Sequence, residues 1–164
     1  MAMMIPKIIK FGLKVLMRRP LFKNYYSSAL IYALYKFGLV KNHNASIKCF
    51  DDSEIRVDLR VIGSVIYSYI INAISNIDCR SGILRAISGS LIPIDEYLIN
   101  SDGIGSALEN GWAYDFNNKC WIKGNVKFKH AYGPVVEIFD EEQYGFVDVG
   151  GRVVVEVGGL VGDT

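Results

Sequence analysis

Acidic residues are missing from the first 50 positions of this 164-residue chain, which hold nine of its 18 basic side chains. The other 114 residues carry nine basic and 17 acidic side chains, so a net charge of +9 is followed by one of −8. The total of +1 argues against a dedicated nucleic-acid binder, and we expect no nucleic-acid partner. The two parts therefore call for separate interpretation.

Cysteine and histidine are scarce and widely spaced. Cys49, Cys79 and Cys120 contain no Cys-x-x-Cys pair, and only His43 and His130 could add ligands. A zinc site needs closely spaced nitrogen and sulfur ligands, so we expect no metal. An odd number of distant cysteines also argues against a disulfide scaffold. We expect free, mostly buried thiols in a reducing cytoplasm.

Long hydrophobic runs are missing as well. Lysines and arginines interrupt every apolar run up to Arg19, which is unlike a signal peptide. The longest uncharged stretch, residues 61–77, is slightly short of a membrane span and contains serines and asparagines. The sequence thus predicts a cytoplasmic protein, with peripheral membrane contact through residues 1–41 as an open alternative.

The basic part has a helical pattern. Apolar spacing predicts a helix over residues 7–19, ended by Pro20, and a second helix over 21–37, ended by Gly38. One interpretation is a surface that meets anionic lipid or an acidic partner. The other is an amphipathic pair docked on the rest of the protein.

The pattern changes after this pair. Alternating apolar residues predict a hairpin over 47–60, with its turn at residues 51–53. Residues 61–77 predict one helix, and 80–111 predict short helices joined by loops. Residues 112–128 predict short strands with polar turns. The domain organisation expected is a basic helical segment over 1–45, a small α+β region over 46–134 and a third unit over 135–164.

Few side chains before residue 150 suggest catalysis. Asp51–Asp52 and Glu141–Glu142 are paired carboxylates, which we interpret as a turn and a helix start. His130, close to Tyr132 and Glu137 in sequence, is a candidate acid–base group. A lone histidine at the end of a strand is more often structural. No catalytic residue is therefore assigned.

The final residues carry the strongest signal. The β-branched run over residues 153–157 predicts a strand buried on both faces, and glycines follow it directly. A phosphate-binding P-loop is excluded, because Gly158 and Gly162 are one residue too close and Asp163 replaces its lysine. A dinucleotide-binding loop fits poorly, because Val157 stands where its first glycine should be.

A third glycine motif fits better. Glu156, Gly158 and Gly162 form the pattern acidic-x-Gly-x-x-x-Gly, which resembles the first motif of Rossmann-like S-adenosylmethionine-dependent methyltransferases. S-adenosylmethionine carries an ammonium and a sulfonium, so a carboxylate at the strand end suits it. Residues 152–164 look like the opening of the FkbM-type methyltransferase domain. The resemblance implies that Glu156, Gly158, Gly159 and Gly162 line the cofactor.

Looser similarities extend the resemblance. Residues 127–130 and 137–139 are similar to the lead-in of archaeal FkbM-type members, and residues 21–26 to their basic helical start. The family implies methyl transfer to a hydroxyl, typically of a sugar or lipid-linked acceptor. Two departures are Glu156 in place of the usual aspartate and Gly159 where alanine is common.

The fold class expected is thus an α+β N-terminal region that leads into the first strand of a truncated α/β Rossmann-like domain. Such a domain takes roughly 100 or more further residues, so we expect the N-terminal portion of a methyltransferase, inactive alone. A downstream chain could complete it, and a small-molecule or glycan acceptor would be its substrate. The alternative is a stand-alone binding or adaptor domain whose basic helices contact a membrane or an acidic partner.

Overall fold

The computed structural model describes residues 4–99 and 103–130, with side chains described from residue 11 onward. Within these ranges the chain is a small mixed α/β domain with antiparallel sheets, as expected for the N-terminal region. The predicted strand over 153–157 lies outside the described residues. The helices are α1 (Met4–Met17), α2 (Tyr25–Lys36), α3 (Leu59–Ile70), α4 (Ile94–Ile99) and α5 (Ile104–Glu109). The strands are β1 (Asn44–Lys48), β2 (Glu54–Asp58), β3 (Ile74–Asp78), β4 (Ile83–Ala86), β5 (Leu91–Pro93), β6 (Ala113–Asp115), β7 (Cys120–Lys123) and β8 (Val126–Phe128).

The described strands form three antiparallel sheets in sequence order: β1–β2, β3–β4–β5 and β6–β7–β8. The predicted hairpin over 47–60 is confirmed, with Ile47 opposite Ile55. The short strands predicted over 112–128 are confirmed too, with Trp121 between Tyr114 on β6 and Phe128 on β8. Each sheet therefore joins neighbours in sequence.

The two basic helices are confirmed, but α2 begins four residues later than predicted. The side chain of Asn24, just before α2, binds β1 instead of capping the helix. Its Nδ2 donates to the Ser46 carbonyl at 2.8 Å, and its Oδ1 accepts from the Lys48 amide at 2.8 Å. The start of α2 is therefore set by contact with the hairpin.

The prediction of one helix over residues 61–77 is wrong for the second half of this range. The helix ends at Ile70, Asn72 adopts a left-handed conformation with φ 62°, and β3 follows. Ile74 and Ile77 are buried in β3, which pairs with β4. The spacing of apolar residues does not distinguish a buried strand from a buried helix. Residues 74–78 form a strand because they pair with β4, which the local sequence does not reveal.

The prediction of only short helices over residues 80–111 is also wrong, because β4 and β5 lie in this range. These strands are four and three residues long, too short to show a clear alternation. Gly82 and Gly89 have φ values of 67° and 95°, and they form the turns on either side of β4. The expected helices remain as α4 and α5.

The hydrophobic core surrounds α3, which explains why this helix has no charged residue after Arg60. It contacts the other four helices and strands β1, β2 and β3, so it is buried on most of its surface. The largest fully buried side chains come from all parts of the described chain: Phe22, Tyr25, Ile47, Leu59, Ile62, Ile66, Ile74, Leu84, Ile92, Tyr97, Trp112 and Trp121. Core residues thus span both the basic segment and the α+β region, and the domain boundaries stay a prediction.

The close contact of α3 with α2 depends on Gly63. A Cβ at this position would overlap the ring of Tyr32 on α2. We expect Gly63→Ala to lower the free energy of unfolding by about 1–3 kcal/mol, because α2 must shift or Tyr32 must change rotamer.

Urea unfolding checks this prediction against two controls. Gly12→Ala in α1 meets no atom within 4 Å and should be neutral or stabilising. Adding Tyr32→Leu to Gly63→Ala should recover part of the loss. A Gly63→Ala protein with the same free energy of unfolding as the unchanged chain would contradict this close packing.

Candidate functional site

The residues expected to line the cofactor, Glu156, Gly158, Gly159 and Gly162, lie outside the described residues. So do Glu141–Glu142, and their roles stay predictions. His130 is the last described residue. The described part of the chain places it beside a glutamate that the sequence did not single out.

That glutamate is Glu96, a buried carboxylate on α4 that faces the β6–β7–β8 sheet. Trp121 Nε1 donates to Glu96 Oε2 at 3.1 Å, and the Tyr114 hydroxyl donates to Oε1 at 3.5 Å. His130 Nδ1 lies 3.8 Å from Oε2. Glu96 is 8% exposed, so its charge relies on these partners instead of water.

The electrostatics of the cluster favour a neutral phenol at Tyr114. Burial, followed by the Glu96 carboxylate, raises the pKa of Tyr114 to about 12. The phenol therefore keeps its proton and remains a donor at neutral pH. A protonated His130 would add attraction at its present distance from the carboxylate.

Strand pairing positions the two aromatic partners of Glu96. Tyr114 and Trp121 are cross-strand neighbours on β6 and β7, with ring centroids 5.4 Å apart. Trp112 packs against Phe128 of β8 at 5.7 Å. The hydrogen bonds from Tyr114 and Trp121 to Glu96 anchor the sheet to α4.

Sequence reasoning missed Glu96 for a clear reason. Asp95 and Glu96 both occupy the first turn of α4, where acidic residues are common. Asp95 is exposed and Glu96 is buried, but no local pattern separates them. The signal that could have indicated a buried acceptor was the pair Trp121 and Tyr114, because buried indole and phenol groups need hydrogen-bond acceptors.

The pair Asp51–Asp52 forms a turn, as interpreted from the sequence. Asp51 accepts hydrogen bonds from Ser53 and lies 2.8 Å from Arg80 Nε, while Asp52 pairs with Lys23. The Ser53 hydrogen bonds, with a smaller contribution from Arg80, hold the pKa of Asp51 below its usual value. The two carboxylates have separate partners and share no proton.

The expectation of three free thiols is wrong. Cys49 and Cys79 form a disulfide with their Cα atoms 5.9 Å apart, and Cys120 is the free cysteine. Each bonded cysteine directly follows a strand, β1 or β3, and the fold brings these two strand ends together. Spacing along the chain could not reveal this proximity. The disulfide removes the thiol argument for a reducing compartment.

Within the described residues, no cluster of three or more histidine, cysteine, aspartate or glutamate side chains could hold a metal ion. In the same ranges, no helix has the length and apolar character needed to cross a bilayer.

Comparisons with known proteins give no match. No family model matches the chain, and neither the curated proteins nor the solved structures include a significantly similar one.

Proposed function

We propose that residues 152–164 of this chain belong to an S-adenosylmethionine-dependent methyltransferase domain of the FkbM type. The observation that carries the proposal is the sequence of these residues, where a β-branched run is followed by the pattern of Glu156, Gly158 and Gly162. Such a domain transfers a methyl group to a hydroxyl, with a sugar or lipid-linked molecule as the acceptor class.

The chemistry of this motif suits the cofactor. S-adenosylmethionine supplies an electrophilic methyl group on a sulfonium. Glu156 places a carboxylate at the strand end, where it attracts the cationic methionine portion. Gly158, Gly159 and Gly162 lack side chains, so the loop backbone can approach the ligand and offer its amides.

The described domain has a supporting role in this proposal. The β6–β7–β8 sheet is anchored to α4 through Glu96, and β8 ends at Phe128. The proposed cofactor strand begins about 25 residues later in the sequence. The anchor therefore fixes the chain shortly before it enters the proposed methyltransferase domain.

Calorimetric titration with S-adenosylmethionine tests the proposal. The protein is expressed with any residues that its gene encodes after position 164, and this form is called the extended protein. We expect one-site binding at micromolar Kd, and Glu156→Gln should weaken it about ten-fold by removing a charge that the cofactor needs.

Glu142→Gln is the matched control, since it removes the same charge outside the glycine motif. It should leave the Kd unchanged. Absence of binding in the extended protein, or equal effects of the two substitutions, would overturn the proposal.

A further inference from the structure

Helix α1 presents an apolar face to solvent. Leu13, Leu16 and Met17 share one side of the helix and are 54%, 69% and 85% exposed. Phe11 and Val15 lie on another side and pack into the core. The helix is thus already docked through one apolar face, and its second apolar face is uncovered.

Helix α2 extends this exposed apolar surface. Tyr26 and Leu30 lie on one side of α2, Phe37 directly follows the helix, and all three are exposed. The Tyr26 hydroxyl donates to the Arg18 carbonyl at 2.8 Å, which ties the start of α2 to the end of α1. Exposed apolar residues clustered in this way indicate an interaction surface, unlike scattered single ones.

Basic side chains outnumber acidic ones around these helices, where Glu109 lines a pocket with Lys14 and Arg18, and Asp52 pairs with Lys23. The first 50 residues contain no acidic side chain and nine basic ones: Lys7, Lys10, Lys14, Arg18, Arg19, Lys23, Lys36, Lys41 and Lys48. Lys14, Arg19 and Lys41 form no ion pair within the described ranges. This surface therefore combines uncovered apolar side chains with unneutralised positive charge.

We propose that the α1 face, formed by Leu13, Leu16 and Met17, docks on an anionic lipid surface. The helix lies in the plane of the interface, with its exposed apolar side chains among the acyl chains and Lys14 at the headgroups. A second copy of the chain is a poor occupant, because it would bring two basic segments together. The docking is independent of methyl transfer and also applies to an adaptor role.

Co-sedimentation of the full chain with vesicles tests the docking. We expect binding to phosphatidylcholine vesicles containing about 30% phosphatidylserine, and about ten-fold weaker binding to pure phosphatidylcholine. Raising the salt concentration from roughly 0.05 M to 0.5 M should weaken the binding strongly, because salt screens the exposed charges.

Two pairs of variants separate the apolar and the charged contributions. Leu16→Ser with Met17→Ser should reduce binding about ten-fold, whereas Ile87→Ser, at an exposed apolar residue between β4 and β5, should not. Lys14→Glu should also weaken binding more than Lys119→Glu, which makes the same charge change in the β6–β7 turn. All five substituted positions are exposed, so each variant should fold.

The pattern of results decides between occupants. Loss of binding in both the serine and the Lys14 variants supports docking on lipid. Binding that needs Lys14 but ignores the serine substitutions would indicate a charge-only contact, as with an acidic protein, and would overturn the proposal. Failure of the unchanged chain to bind anionic vesicles would overturn it as well.

Discussion

Replacing Glu96 with alanine is expected to lower the free energy of unfolding by about 2–4 kcal/mol. The substitution removes the acceptor of Trp121 Nε1 and of the Tyr114 hydroxyl, so two buried hydrogen bonds are lost. Trp121 is fully buried, so its indole nitrogen cannot turn to water instead. The lost side chain also leaves a cavity between α4 and the sheet.

Urea unfolding at neutral pH measures this effect. Glu109→Ala is the matched control, because Glu109 is an exposed glutamate at the end of α5, and it should change stability by less than about 0.5 kcal/mol. Glu96→Gln keeps an acceptor oxygen and should fall between the two. A Glu96→Ala protein as stable as the control would show that the cluster does not anchor the sheet.

Reduction of the Cys49–Cys79 disulfide is expected to have a comparable effect. The bond closes a loop with a sequence separation of 30, and the chain-entropy account gives about 3–4 kcal/mol for a loop of this size. For a chain of this length the melting temperature should fall by about 10 °C. The loop contains β2 and α3, so reduction loosens the link between the hairpin and β3.

Thermal unfolding with and without reductant measures this loss. Cys120→Ser leaves the disulfide intact and should behave like the unchanged chain. Cys79→Ser should have, with or without reductant, the melting temperature that the unchanged chain has in reductant. Alkylation of the unfolded, unreduced chain should modify one cysteine, and three after reduction. Three modified cysteines without reductant would contradict the disulfide.

The elements that the sequence predicted well are those with local causes. Pro20 and Gly38 delimit the two basic helices, and the polar turn at residues 51–53 delimits the first hairpin. Elements with long-range causes were missed. β3 is a strand because it pairs with β4, and α2 starts late because Asn24 binds β1.

The same distinction applies to the side chains that hold the domain together. Glu96 is buried because a sheet some 20 residues further along the chain folds over it, and nothing local separates it from Asp95. Cys49 and Cys79 meet because two strand ends are adjacent in space. The glycine motif at residues 156–162 is contiguous in sequence and lies outside the described residues, so its role stays a prediction.

Photo-crosslinking tests the proposed methyltransferase domain most directly. The extended protein is irradiated with S-adenosylmethionine labelled in its methyl group, digested with trypsin and analysed by mass spectrometry. If residues 156–162 form the cofactor loop, the label will be found in the peptide that begins at Val153, and excess S-adenosylhomocysteine will remove it. Label confined to other peptides, or absent altogether, would contradict the proposed methyltransferase domain.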